Sequence, residues 1–138
     1  MGNKQSIKKI NFEDMQYYVS NKAVIINTMN EGFQHCLIKN TIRISDEERI
    51  INKLISDYKK GIVIIIYGLN PTDESIYEKY NQLINLGFYN IFVYTGGMFE
   101  WLLLQDVYGE DSFKTDGKEL DILKYKGNSI RNNLLLKN

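Results

Sequence analysis

The segment Ile62-Val63-Ile64-Ile65-Ile66-Tyr67 constrains this chain more than any other stretch in it. It is apolar throughout, β-branched from Ile62 to Ile66, and shows no polar/apolar alternation. A strand with one face in water alternates, so a strand of this kind is covered on both faces. Double coverage places it at the centre of a parallel sheet with helices above and below, in an α/β fold.

The flanking residues supply the other layers. Ile7 to Ile10 reads as a short edge strand, and Asn11 followed by Glu13 and Asp14 is a helix start. Ala23 to Ile26 and Thr41 to Ile44 are the next strand candidates. Ser45-Asp46-Glu47-Glu48 has the form of a capping box, with Ser45 as the cap. Ile50, Ile51, Leu54, Ile55 and Tyr58 follow it at helical spacing. After the central strand, Gly68 to Asp73 is a loop by composition. A helix follows from Glu74 to Leu86, directing Ile76, Tyr80, Leu83 and Ile84 inward, with Gly87 ending it. Asn90 to Tyr94 is a further strand, and Gly96-Gly97 turns into a helix carrying Phe99, Trp101, Leu102 and Leu103. The expectation is one domain over residues 7–105, with a central parallel sheet of about five strands flanked by helices on both faces. Beyond Asp106 the periodicity is poor. Residues 106–138 are expected to form an extension lying on the domain or trailing from it, anchored by Leu120, Ile122 and Leu123.

Charge and composition narrow the partners. Lys+Arg and Asp+Glu both number 17, so no overall bias toward nucleic acid exists. No apolar run approaches the ~20 residues that span a bilayer, and the polar N-terminus is not signal-like. Neither a nucleic acid nor a membrane is therefore expected as a partner. One cysteine, Cys36, forbids an intrachain disulfide and fits a reducing compartment. The expected location is cytoplasmic, with nuclear and virion-associated settings left open. Abundant Asn, Ile, Lys and Tyr indicate an A+T-rich genome, as in bacteria, protists or the large DNA viruses of protists.

In α/β sheets the functional crevice lies beyond the carboxyl ends of the strands. The loop that begins at Gly68 has that address. Its surroundings, Ile64-Ile65-Ile66-Tyr67, Leu86-Gly87-Phe88-Tyr89-Asn90-Ile91 and Gly96-Gly97-Met98-Phe99-Glu100-Trp101, resemble the second half of the rhodanese homology domain. Asn27 to Phe33 and Cys36 to Ile44 are similar, more loosely, to its first half. The resemblance covers Phe12 to Gln105. It implies a sulfurtransferase or phosphatase ancestry, with a cysteine nucleophile directly after the central strand and a basic residue at the loop's end. The six-residue loop is nearer the phosphatase length. This chain has Gly68 at the implied nucleophile position and Asp73-Glu74 at the implied basic one.

Those two departures act together. A persulfide-forming thiolate needs backbone amides and a positive environment, and a carboxylate at the helix start occupies that positive end itself. Thr72 is the loop's only hydroxyl, with no neighbouring histidine to serve as a base. Gly68, Leu69, Asn70, Pro71, Thr72, Asp73 and Glu74 thus form a vestigial loop, and Gly96, Gly97 and Trp101 are the surviving family motif. No catalytic residue, metal or cofactor is expected. Asp73-Glu74 reads as a cap in preference to a metal site, and Trp101 and Tyr77/Tyr80 as packing. Cys36 reads as a packed thiol before a displaced sulfur carrier. The resulting expectation is a catalytically inactive rhodanese-like domain that binds or regulates an unidentified protein. The alternatives are a sulfurtransferase using Cys36 and a structural protein that self-associates, for instance as a homodimer.

Overall fold

The computed structural model describes residues 6–131. Strands β1 (Lys8–Ile10), β2 (Val24–Asn27), β4 (Thr41–Ile42), β5 (Ile64–Tyr67) and β6 (Ile91–Tyr94) form one parallel sheet in the order β1-β6-β5-β2-β4. The apolar run is its middle strand, as the absence of alternation requires. Ile64 and Ile66 face one layer and Ile65 and Tyr67 the other, and all four are buried.

Helices α2 (Ile44–Ser56) and α3 (Ser75–Asn85) cover the first face, packing Ile51, Leu54, Ile76 and Leu83 onto the sheet. Helices α1 (Phe12–Val19) and α4 (Gly97–Tyr108) cover the second with Met15, Val19, Trp101 and Leu102. The Asn11 cap forms as its sequence indicates: its side chain accepts from Asp14 N at 3.0 Å while Asp14 caps Asn11 N in return. Gly87 takes φ +101°, a left-handed geometry suited to a residue without a β-carbon. No described helix is long and apolar enough to cross a membrane.

Three local expectations are corrected. Helix α2 begins at Ile44, one residue before Ser45, and no side chain caps it from Arg43. Its first amide, Ile44 N, donates instead to Gln34 Oε1 at 3.2 Å, so a group ten residues upstream replaces the local box. Tyr58 lies past the end of that helix at φ +58° and is 94% exposed, outside the apolar face. In the C-terminal segment Leu120 and Leu123 are exposed and Ile122 is half-buried, while the buried anchors are Phe113 and Tyr125. Strand β7 (Thr115–Asp116) pairs antiparallel with β3 (Leu37–Ile38), which stitches this segment to the first half of the domain.

Candidate functional site

The loop Gly68–Asp73 leaves the carboxyl end of β5 and enters α3. Pro71 occupies the second place of a turn closed by Asp73 N donating to Asn70 O at 3.1 Å, where a fixed φ near −65° is favoured. Asp73 folds its side chain back over the loop. Oδ2 accepts from Leu69 N at 2.9 Å, and Oδ1 accepts from Ser75 N at 3.0 Å and from Ser75 Oγ at 2.6 Å. The carboxylate therefore takes the Leu69 amide in the loop and the Ser75 amide at the start of α3, and Ser75 Oγ also meets Thr28 Oγ1 at 2.7 Å. Glu74 stands at the N-cap position but its side chain makes no capping bond and is exposed, so of the pair only Asp73 bonds an amide at the start of α3.

The space above Gly68 is occupied. A β-carbon built on Gly68 would run into Asp73 Oδ2 and lie 2.9 Å from Thr28 Oγ1. Asn70 is buried and holds the loop from the far side: Nδ2 donates to Tyr125 O at 2.8 Å, while Oδ1 accepts from Thr72 N and Thr72 Oγ1. Gly127 continues that cover, with its β-carbon position 2.9 Å from Thr72 Oγ1.

The Gly96-Gly97 turn touches the loop backbone to backbone. Met98 N donates to Gly68 O at 2.9 Å and Phe99 N to Leu69 O at 2.8 Å. Gly97, at φ +69°, has no room for a β-carbon, which would sit 2.8 Å from both Asn70 N and Gly68 O. The two motifs are thus brought together, and their direct contact leaves no crevice between them. Trp101 is fully buried, donates Nε1–H to Lys114 O at 3.0 Å and packs edge-on against Phe113 and Tyr94.

Cys36 is fully buried beside β3. Burial, reinforced by the nearby Glu119 carboxylate, pushes its thiol up to about 11, with a hydrogen bond to Thr115 working the other way. At neutral pH it is a thiol, and thiolate is the form that carries sulfur. His35 Nε2 sits 2.7 Å from Glu119 Oε1, within hydrogen-bond distance of the C-terminal segment.

A groove of about 680 Å³ opens elsewhere, between α2 and α3 at the carboxyl end of β2. Met29, Ile51 and Leu83 give its mostly polar lining some apolar surface, and Thr28 and Ser75 line its loop end. Lys79 of α3 is paired with Glu47 of α2 and donates to Gln82 Oε1 at 2.9 Å. Glu48 and Glu78, on opposite walls, have no ion-pair partner among the described residues.

Gln34 is a site-shaping residue that no motif announces. It is buried against Asn27 in a reciprocal amide pair, with Gln34 Nε2 donating to Asn27 Oδ1 at 2.8 Å and Asn27 Nδ2 to Gln34 Oε1 at 3.2 Å. The pair also takes Met29 N, Ile42 O and Ile44 N, so it sets the groove's upper end.

Glu119 has the most perturbed carboxyl. Hydrogen bonds from Lys124 and then His35 and the Asp121 amide hold it at about 2, well below 4.5. A depressed carboxylate stabilises the fold above its unfolded value, and that contribution is lost as pH falls through 4.5 toward 2. Glu119→Gln is expected to lower the melting temperature at pH 7, with the gap to wild type closing over that window. Melting curves that stay parallel down to acid pH would refute this account of the C-terminal latch.

No protein-family model and no curated protein matches the chain. Solved structures do. The rhodanese-like domain of an Anabaena protein superposes with a TM-score of 0.57 at 17% identity, covering 90% of this chain and 87% of that one. A yeast protein tyrosine phosphatase of the rhodanese family gives a TM-score of 0.59 at 14% identity, covering 87% and 99%. Thiosulfate sulfurtransferase from Pseudomonas aeruginosa gives 0.54 at 17%, covering 70% of this chain and 19% of the longer one. With a five-stranded parallel sheet clothed by two helices on each face, the chain has the rhodanese-like fold.

Proposed function

We propose that this protein is a non-catalytic rhodanese-like module that binds another protein in the cytoplasm. One observation carries the negative half: the Asp73 carboxylate fills the space from which a nucleophile at position 68 would project, and it takes two amides, those of Leu69 and Ser75, that an incoming anion would meet. A fixed carboxylate there also repels thiosulfate and phosphate. The buried Cys36 thiol supports the same reading, since it lies far from its thiolate range at neutral pH.

The test is direct. Thiosulfate with cyanide, and an aryl phosphate in parallel, should both give turnover at background. Robust sulfur transfer that disappears in Cys36→Ser would overturn the reading.

The binding half rests on the groove between α2 and α3, whose volume is that of a ligand site and whose rim carries the unpaired Glu48 and Glu78. These residues are better probes than Asn70 or Asp73, which hold the loop together. Glu48→Lys/Glu78→Lys is expected to weaken retention of a partner from native-host extract by about tenfold or more. An unchanged set of retained proteins would place the interface elsewhere.

A further inference from the structure

The chain opens Met1-Gly2-Asn3-Lys4-Gln5-Ser6, and two more lysines, Lys8 and Lys9, follow at once. Glycine second and a hydroxyl residue sixth is the pattern that N-myristoyltransferases read. Hydropathy is blind to it, because the apolar chain is added covalently and not encoded in apolar residues. We propose that Gly2 is a myristoylation site, and that the acyl chain acts with Lys4, Lys8 and Lys9 to hold the domain on an anionic membrane surface. Acylation at Gly2 requires translation to begin at Met1, since only an amino-terminal glycine can be acylated.

The chemistry is simple to balance. Water cleaves the Met1–Gly2 peptide bond and frees the Gly2 α-amine. That nitrogen attacks the carbonyl of a myristoyl-coenzyme A thioester, an amide C–N bond forms, and the C–S bond breaks. Coenzyme A leaves as the thiol, taking up the proton the amine gives up.

One myristoyl chain binds membranes only marginally and reversibly, so a second signal is needed, and a basic patch is one such signal. The fold sets two of these lysines beside the acylated end, one on each face of edge strand β1. Ser6, Lys8 and Lys9 are exposed, and neither lysine has an ion-pair partner among the described residues. Lys8 Nζ lies 5.6 Å above the Phe92 ring, at the outer edge of the sheet. Strand β1 is an edge strand running parallel to β6, so its amino end lies at the opposite end of the sheet from the Gly68 loop and the groove. An anchor there leaves the groove facing away from the bilayer.

The full chain, co-expressed with an N-myristoyltransferase in cells fed an alkyne analogue of myristate, should take up the label, and Gly2→Ala should take up none. Labelled protein should sediment with phosphatidylcholine vesicles containing phosphatidylserine. Lys8→Glu/Lys9→Glu should keep the label and lose roughly tenfold in vesicle binding. Mass spectrometry of protein from its native source should find an amino-terminal peptide beginning at acylated Gly2. The proposal is overturned by an unlabelled wild type, by label that persists in Gly2→Ala, by vesicle binding that ignores the acyl chain, or by a native N-terminus elsewhere. None of these outcomes bears on whether the loop is catalytically inert.

Discussion

Gly68→Cys, which places a thiol directly after the central strand, is expected to destabilise the domain by about 2–3 kcal/mol and to yield no sulfurtransferase activity. The new β-carbon collides with Asp73 Oδ2 and crowds Thr28 Oγ1, and overpacking of this kind costs ~1–3 kcal/mol. If Asp73 swings away, the amides of Leu69 and Ser75 lose their acceptor, at about 1 kcal/mol per bond. If it stays, a carboxylate beside the thiol disfavours the thiolate. Turnover at background is therefore the signature of a carboxylate that stays in place beside the thiol. Asp73→Ala opens the space, so the cost of Gly68→Cys should fall by more than about 1 kcal/mol in that background, a coupling measurable by urea unfolding of the four-member cycle. Additive effects would mean that residues 68 and 73 do not share this space, and the reading of the loop would fall with them.

Tyr125→Ala should be more damaging, at about 3–5 kcal/mol, a large part of the total stability of a small domain. Its ring is fully buried with its centroid 5.1 Å from that of Phe33, and its carbonyl receives the Asn70 side chain. Losing it should release the C-terminal segment from the loop, seen as faster amide exchange from Asn70 to Asp73. Tyr125→Phe should go the other way. The hydroxyl is buried without a partner among the described residues, so deleting it should be neutral or stabilising by up to about 1 kcal/mol. A Tyr125→Ala protein within about 1 kcal/mol of wild type would show that the segment after α4 does not belong to the core.

How much of this was legible depended on sequence distance. The cap at Asn11, the turn at Gly87 and the role of Asp73 all involve groups within a few residues, and each follows from local chemistry. Glu74 shows the limit even there: two adjacent carboxylates look equivalent in sequence, yet backbone geometry turns one inward and leaves the other in solvent. Ser45 does not cap because the helix already contains it, and the helix's first amide, Ile44 N, finds its acceptor in Gln34, held by its pairing with Asn27. In the C-terminal segment, exposed Leu120 and Leu123 carry the same hydropathic signal as buried residues. Without periodicity nothing distinguished them from Phe113 and Tyr125.

By itself, then, the sequence determined the sheet: six apolar residues without alternation can only be stable where both faces are covered, and that one demand implies helices above and below. It also determined that a glycine follows that strand and an acidic pair closes the loop. Tertiary structure alone decided what these mean together. It put Asp73 in the space above Gly68, brought Tyr125 to Asn70 across 55 residues, and pressed Gly97 onto the loop so that the groove opened between α2 and α3 instead. The physical reason is that hydropathic pattern and capping report on neighbours in the chain, whereas the shape of a site is set by contacts whose partners only the packed core brings within reach.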